Sequence, residues 1–262
     1  MAPAALDLAF TAMGEGDPVF VMHGLLGSQR NWQGHGKQLA RRHAVHLIDM
    51  RNHGRSPWAD EMSYAAMAAD LVRLMDARGV ERVSLIGHSM GGKAAMATAL
   101  LHAGRVARLA VVDIAPVAYR SGFDDYIAAM QAIDLSSLRR RAEVESALAE
   151  AVPEPAIRSF LAQNLDSQGE TLRWRANLEV LAAEMSTITG WPAALDEARF
   201  DGPALFLSGG ASPYVRAEYR DKIMRLFSRA QMQVVGGAGH WLHAEAPQAT
   251  AEALAGFLGL DR

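Results

Sequence analysis

Cysteine is absent from the 262 residues. No disulfide can hold this fold, and no thiol can serve as nucleophile or metal ligand. That composition fits a reducing compartment, so a cytoplasmic location is expected. No apolar run approaches the ~20 residues that a membrane-spanning helix requires. Residues 1–7 lack a basic start and an apolar core, so no signal peptide is expected. A strong charge is missing too. The 26 basic and 29 acidic residues leave a net −3, which gives no reason to expect nucleic acid as a partner. Repeats and low-complexity segments are absent, apart from mild alanine richness. What remains is an ordinary globular composition, half of it hydrophobic. The length permits one large domain, or one domain carrying an insertion.

One stretch organises the chain. Val83-Ser84-Leu85-Ile86 has strand character and runs into Gly87-His88-Ser89-Met90-Gly91, and an alanine-rich helical run follows over 93–101. This is the strand–turn–helix setting of a nucleophile elbow. Gly-x-Ser-x-Gly alone is a weak motif, and its place between a buried strand and a helix gives it value. The turn strains the serine backbone, and glycine at 87 and 91 lets strand and helix approach closely.

Other strands lead into chemistry-bearing loops. Residues 6–11 alternate and read as an edge strand. The apolar run 18–22 reads as a buried strand ending in His23-Gly24-Leu25-Leu26-Gly27-Ser28. A loop at this point supplies one backbone N–H of an oxyanion hole in serine hydrolases, so Leu25 is the expected first donor and Met90 the second. His23 reads as a structural hydrogen-bonding residue. A helix is predicted over 31–41, a strand over 44–48 and a helix over 64–78, with Ser63 as N-cap and Gly79 as stop. A further buried strand leads to Asp113 at its C-terminal end. Alternating apolar strands and helices predict an α/β fold: a mainly parallel sheet with helices on both faces.

The pattern changes over 116–200. That span shows helical stretches and no convincing strand. It holds 13 acidic and 8 basic residues, with no lysine or histidine. It reads as a helical cap inserted into a core made of residues 1–115 and 201–262. The sheet then resumes over 203–208 and 231–235, with helices over 216–227 and 247–258.

Ser89, a later acid and His240 stand in the order nucleophile, acid, histidine. Serine needs a base to take its proton. His240, in a glycine-rich loop after the last strand, can take it and return it to the leaving group. A carboxylate fixes the imidazole tautomer. The loop after the 203–208 strand contains no carboxylate. Asp113 is therefore the candidate acid on geometric reach, with Glu218 and Asp49 as rivals. His243 is the rival base. A zinc site built on His240, His243 and Glu245 lacks a third strong ligand and leaves the elbow unexplained. Tyr119, Tyr214 and Trp241 are candidate walls of an acyl pocket. No cofactor and no metal are expected.

His23-Gly-Leu-Leu-Gly-Ser28, Arg51-Asn-His-Gly-Arg-Ser56, Gly87-His-Ser-Met-Gly-Gly-Lys93, Asp113-Ile-Ala-Pro116, Ser212-Pro-Tyr-Val215 and Gly239-His-Trp-Leu-His-Ala-Glu245 together resemble the small YbfF-type bacterial esterases of the α/β-hydrolase superfamily. The likeness covers nearly the whole core and is looser in the cap. It implies a triad of Ser89, Asp113 and His240. It also implies hydrolysis of short-chain esters and acyl thioesters, including acyl-CoA. The expected cap carries net −5, whereas a phosphate-bearing substrate prefers basic surface. The expectation is a carboxylic ester hydrolase, monomeric or homodimeric, whose partner is a small acyl ester or thioester. The alternatives are a carbon–carbon bond hydrolase or perhydrolase with the same triad, or a slow ligand-binding relative.

Overall fold

Apolar residues dominate the central strands, and their side chains point alternately to opposite faces. A computed structural model shows where those faces go. It describes residues 4–166 and 171–259. Residues 1–3, 167–170 and 260–262 lie outside the described residues, and with them the start of the segment read for a signal peptide and part of 116–200.

The strands are β1 (Phe10–Met13), β2 (Asp17–Met22), β3 (His43–Ile48), β4 (Val83–His88), β5 (Val106–Val112), β6 (Leu165–Asp166), β7 (Arg173–Trp174), β8 (Phe200–Gly209) and β9 (Phe227–Val235). Seven of them form one sheet in the order β1-β3-β2-β4-β5-β8-β9. All its pairings are parallel except that of β1 with β3.

Helices cover both faces. They are α1 (Gln33–Leu39), α2 (Tyr64–Ala77), α3 (Met90–Leu101), α4 (Asp124–Gln131), α5 (Arg141–Ala147), α6 (Pro155–Leu161), α7 (Leu178–Ala183), α8 (Met185–Thr189), α9 (Arg220–Leu226), α10 (Leu242–Glu245) and α11 (Pro247–Leu258). Val19, Val21, Ile86, Ala110 and Val112 pack with Leu39 of α1 and Leu254 of α11. The intervening residues Phe20, Met22, Leu85, Leu109 and Val111 pack with Met67 and Leu71 of α2, α3 and Ile223 of α9. Two cores on one sheet follow directly from the period of two.

Several elements differ from the sequence expectation. The edge strand begins at Phe10, not Leu6. Leu6 N is drawn instead to Asp70 Oδ1 (2.6 Å), and Ala9 N to Ser56 Oγ (2.8 Å). The helix expected over 31–41 opens as a 3-10 turn, Gln29–Trp32, capped by Ser28, before α1. The helix expected over 216–227 narrows to α9, because Phe227 enters β9 and packs on Phe206. Within 116–200 the short antiparallel pair β6–β7 stands where no strand was expected. Two residues per strand are too few to show a period. Among the described residues, no strand between β5 and β8 joins the main sheet.

Candidate active site

The C-terminal ends of β2, β4, β5, β8 and β9 lie along one rim of the sheet, where open α/β sheets bind ligands. Ser89 follows β4 directly, with φ 52° and ψ −117°. Its hydroxyl makes no capping bond to α3. A non-glycine residue in this region costs on the order of 1–3 kcal/mol and must be held by its surroundings. Here Ser89 N donates to Val112 O (3.0 Å), and Lys93 N to Ser89 O (3.0 Å). A Cβ on Gly87 would lie 2.2 Å from Gly91 O. Only glycine lets β4 and α3 meet this closely.

Asp113 follows β5, also at positive φ (52°), with its N–H bonded to Leu207 O of β8 (2.8 Å). The carboxylate is fully buried. Gly209 N donates to Oδ1 (2.9 Å), and Ser212 Oγ and His240 Nδ1 (2.7 Å) both donate to Oδ2. A Cβ on Gly209 would meet Gly239 O at 2.3 Å. That close approach brings the histidine loop over the β5–β8 seam. Glu245 then holds the loop on both sides of the imidazole, accepting from Gly239 N and Trp241 N. The Tyr214 ring stacks on the other face of the arrangement, 4.0 Å from the His240 ring centroid and 23° from parallel.

Two of the rival assignments are committed elsewhere, and the third, His243, lines the same cleft but is packed into its wall. Asp49 accepts from Gln29 N (2.9 Å), Gln29 Nε2 (2.7 Å) and Arg55 N (3.1 Å). Glu218 is exposed and pairs with Arg216 at 3.6 Å. His243 is buried, stacks on Trp32, and is pulled down to about 3 by its burial. Burial against Trp32 and the lowered basicity make it a poor base beside His240.

Ser89 and His240 line one cleft with Gly24, Leu25, His88 and Trp241. Among the described residues no hydrogen bond joins Ser89 to His240. Substrate-free sites commonly hold this contact long and tighten it on binding. Leu25 lines the cleft, and Met90, next after Ser89, is the first residue of α3, whose N–H is an orphan donor of the helix start. Two buried histidines shape the Leu25 loop. His23 Nε2 accepts from Met50 N (3.0 Å), so its Nδ1–H donates to Gly24 O (2.7 Å). His53 Nε2 accepts from Leu26 N (3.1 Å), and its Nδ1–H donates to Arg51 O (2.8 Å). Desolvation keeps both neutral, His53 down to about 3. His23 is thus the structural residue that its position suggested.

Trp241 lines the cleft, together with Phe123 and Phe160 from the 116–200 span. Tyr119 and Tyr214 are not among its lining residues. Tyr119 OH donates to Tyr214 O (2.6 Å) and accepts from Ala115 N (2.9 Å), which spends its polar end on the loops behind His240. The cleft is narrow, with water-accessible room of about 10 Å³, space for about one water.

Residues 17–247 match the sequence pattern of the alpha/beta hydrolase fold family. The chain belongs to that family. It is 40% identical to Esterase YbfF of Escherichia coli over 245 residues, which is 92% of each chain. It is 42% identical to the sn-1-specific diacylglycerol lipase ABHD11 of Xenopus tropicalis over 240 residues, covering 88% of this chain and 74% of that one. A solved marine microorganism esterase superposes with a TM-score of 0.93 at 37% identity, covering 97% of this chain and all of the other.

Three features of this hydrolase were not foreseen from sequence. Ser212 is the hydroxyl partner of Asp113, and its signal was a loop that lacks a carboxylate yet faces the acid. Glu245 is a loop brace whose spacing from Gly239 gave no sign. Lys93 is buried, with Nζ donating to Thr189 O (2.7 Å) and Gly190 O (2.6 Å) at the end of α8. The Tyr119 and Tyr64 rings flank it, and burial pulls it down to about 7.

Proposed function

We propose that this hydrolase cleaves carboxylic esters or acyl thioesters of short acyl chains through an acyl-enzyme on Ser89. The observation that carries the reading is the 2.7 Å bond from His240 Nδ1 to a buried Asp113 carboxylate, on a rim where Ser89 stands in an elbow. That bond puts the proton on Nδ1 and leaves the Nε2 lone pair free to act as base. Ser89 Oγ attacks the carbonyl as His240 Nε2 takes its proton. The oxyanion is received by the N–H groups of Leu25 and Met90. Collapse expels the alcohol or thiol, which leaves with the proton from His240. Water then attacks the acyl-enzyme, giving its proton to His240, and Ser89 is regained with release of the acid. The three side chains perform each step without a cofactor or metal.

Residues 116–200 act in this reading as a cap over the cleft, contributing Phe123 and Phe160. The narrow cleft and its aromatic walls favour short acyl groups, and an ester or thioester fits the chemistry equally. The relatives named as diacylglycerol lipases define the contrasting arm of the test. The experiment is labelling with a fluorophosphonate, then turnover of p-nitrophenyl esters and acyl thioesters from acetyl to palmitoyl. Labelling confined to Ser89, with kcat/KM falling beyond butyryl, is expected. No labelling at Ser89 overturns the mechanism. A maximum at long chains overturns the acyl range while leaving the mechanism standing.

A further inference from the structure

A second polar cavity of about 250 Å³ is lined in part by Ser28 and Gln29, which follow the Leu25 loop. It shares no lining residue with the Ser89 cleft. Arg30, Arg55 and Arg175 face it, with the amides of Gln33, Gln163 and Asn164. The acid in its wall, Asp49, is already satisfied by three donors. Arg30 has no ion pair or side-chain hydrogen bond among the described residues. Arg55 reaches Asp49 at 3.8 Å, with its side chain 57% exposed. Arg175 pairs with Asp166 at 2.8 Å, a carboxylate that also serves Arg173. Cation therefore exceeds anion here, in a chain whose net charge is −3.

An adjoining cavity shares Gly54, Arg55 and Arg175 and is bounded by Trp58. That indole is 56% exposed. Its Nε1 donates to Arg175 O at 3.4 Å, which ties the exposed ring to the Arg175 backbone. Converging guanidiniums recognise phosphate oxygens by paired, charge-assisted bonds. An exposed indole face beside them offers a flat surface for an aromatic ring.

We propose that this groove is a binding site for a nucleoside monophosphate, with the phosphate on Arg30, Arg55 and Arg175 and the base against Trp58. The site is distinct from the Ser89 cleft, and its existence does not rest on the proposed activity. The test is calorimetric titration of the whole chain with 5′-AMP and with inorganic phosphate at low salt. Saturable 5′-AMP binding below about 1 mM is expected, with inorganic phosphate at least threefold weaker. Arg30→Gln and Arg55→Gln each weaken 5′-AMP about fivefold or more, and Trp58→Ala removes its advantage over phosphate. These three side chains lie at the surface, so thermal midpoints stay within a few degrees of the parent. Absence of saturation by 10 mM overturns the proposal, as does arginine-variant binding equal to the parent. Equal affinity for 5′-AMP and phosphate overturns the role of Trp58. Competitive inhibition of p-nitrophenyl butyrate hydrolysis that persists in both arginine variants places the ligand in the cleft instead, and also overturns it.

Discussion

Replacing Asp113 with asparagine tests the proposed triad through hydrogen-bond polarity alone. The side chain is fully buried and accepts from Gly209 N, Ser212 Oγ and His240 Nδ1. An amide of the same shape has one accepting oxygen and one donating nitrogen. If the oxygen stays toward His240, the NH₂ meets the Gly209 N–H, donor against donor. A buried clash of that kind costs about 1–3 kcal/mol. If the amide turns over, its oxygen accepts from Gly209, and its NH₂ faces Ser212 and His240. The Ser212 hydroxyl can reverse its role and accept. His240 Nδ1 must then present its lone pair, so the ring proton moves to Nε2 and the base faces the wrong way. The turned amide is the satisfied arrangement and is expected to dominate. Loss of the tautomer and of imidazolium stabilisation lowers kcat by about 10⁴ in a serine protease with such a triad, or about 5 kcal/mol. The same scale is expected for Asp113→Asn. The assay is kcat on p-nitrophenyl butyrate, with a urea midpoint to show that the fold survives. Ring-nitrogen NMR of His240 should show Nδ1–H in the parent and Nε2–H in the variant. Ser212→Ala is the control: it removes one donor and keeps the tautomer, so kcat falls about tenfold or less. A kcat for Asp113→Asn within tenfold of the parent, in folded protein, refutes the reasoning.

Gly87→Ala puts a methyl group 2.2 Å from the Gly91 carbonyl oxygen, and backbone cannot swing aside as a side chain can. A loss of about 3 kcal/mol or more in urea unfolding is expected, while Gly34→Ala in α1, with open space around its Cβ, gains up to about 1 kcal/mol; equal stabilities would remove the close-approach argument. Acid should destabilise the fold through its neutral buried histidines. His53 and His243 are each held down to about 3, mainly by burial, against an ordinary value near 6.5. Between those limits the unfolded chain binds protons that the folded chain refuses, so their contribution is complete above pH 6.5 and is lost as pH falls. Unfolding at pH 7.5 and pH 4.5 should differ by about 3 kcal/mol for each histidine, and His53→Asn should remove one share of that slope; an unchanged slope in the variant would exclude His53 as a source.

The parts of the fold that were legible in sequence are those set by local pattern. The elbow is one, because two glycines and a serine between an apolar strand and a helix admit few conformations. The parallel core strands are another, since their apolar runs have no solvent face. The edge strand slipped to Phe10–Met13 because residues 6–9 satisfy their backbone on Asp70 and Ser56, side chains distant in sequence. Tyr119 was placed as a pocket wall from its position at the start of the 116–200 span. Its hydroxyl bonds to Ala115 N and Tyr214 O decide otherwise, and they depend on two loops meeting. The burial of Lys93 was invisible for a similar reason, because the carbonyls that hold it come from residues 189 and 190.

The acid's location is the place where an absence in the sequence carried structural information. β5 and β8 are parallel neighbours, and Asp113 N extends their ladder by one rung to Leu207 O. Their two ends therefore lie about one strand spacing apart, roughly 5 Å, and a carboxylate at either end reaches the same imidazole. An acid on β5 must turn back toward the histidine loop, and the positive φ of Asp113 makes that turn. Such a backbone costs on the order of 1–2 kcal/mol in a non-glycine residue. Three donors on the carboxylate offset it, two of them, Gly209 N and Ser212 Oγ, supplied by the β8 end where a carboxylate would otherwise stand. A carboxylate in place of Ser212 would set two like charges against each other in a buried site and raise the pKa of one of them. The loop after β8 therefore lacks an acid for the same reason that Asp113 is held where it is: the two ends of the seam serve one charge, one end carrying it and the other donating to it.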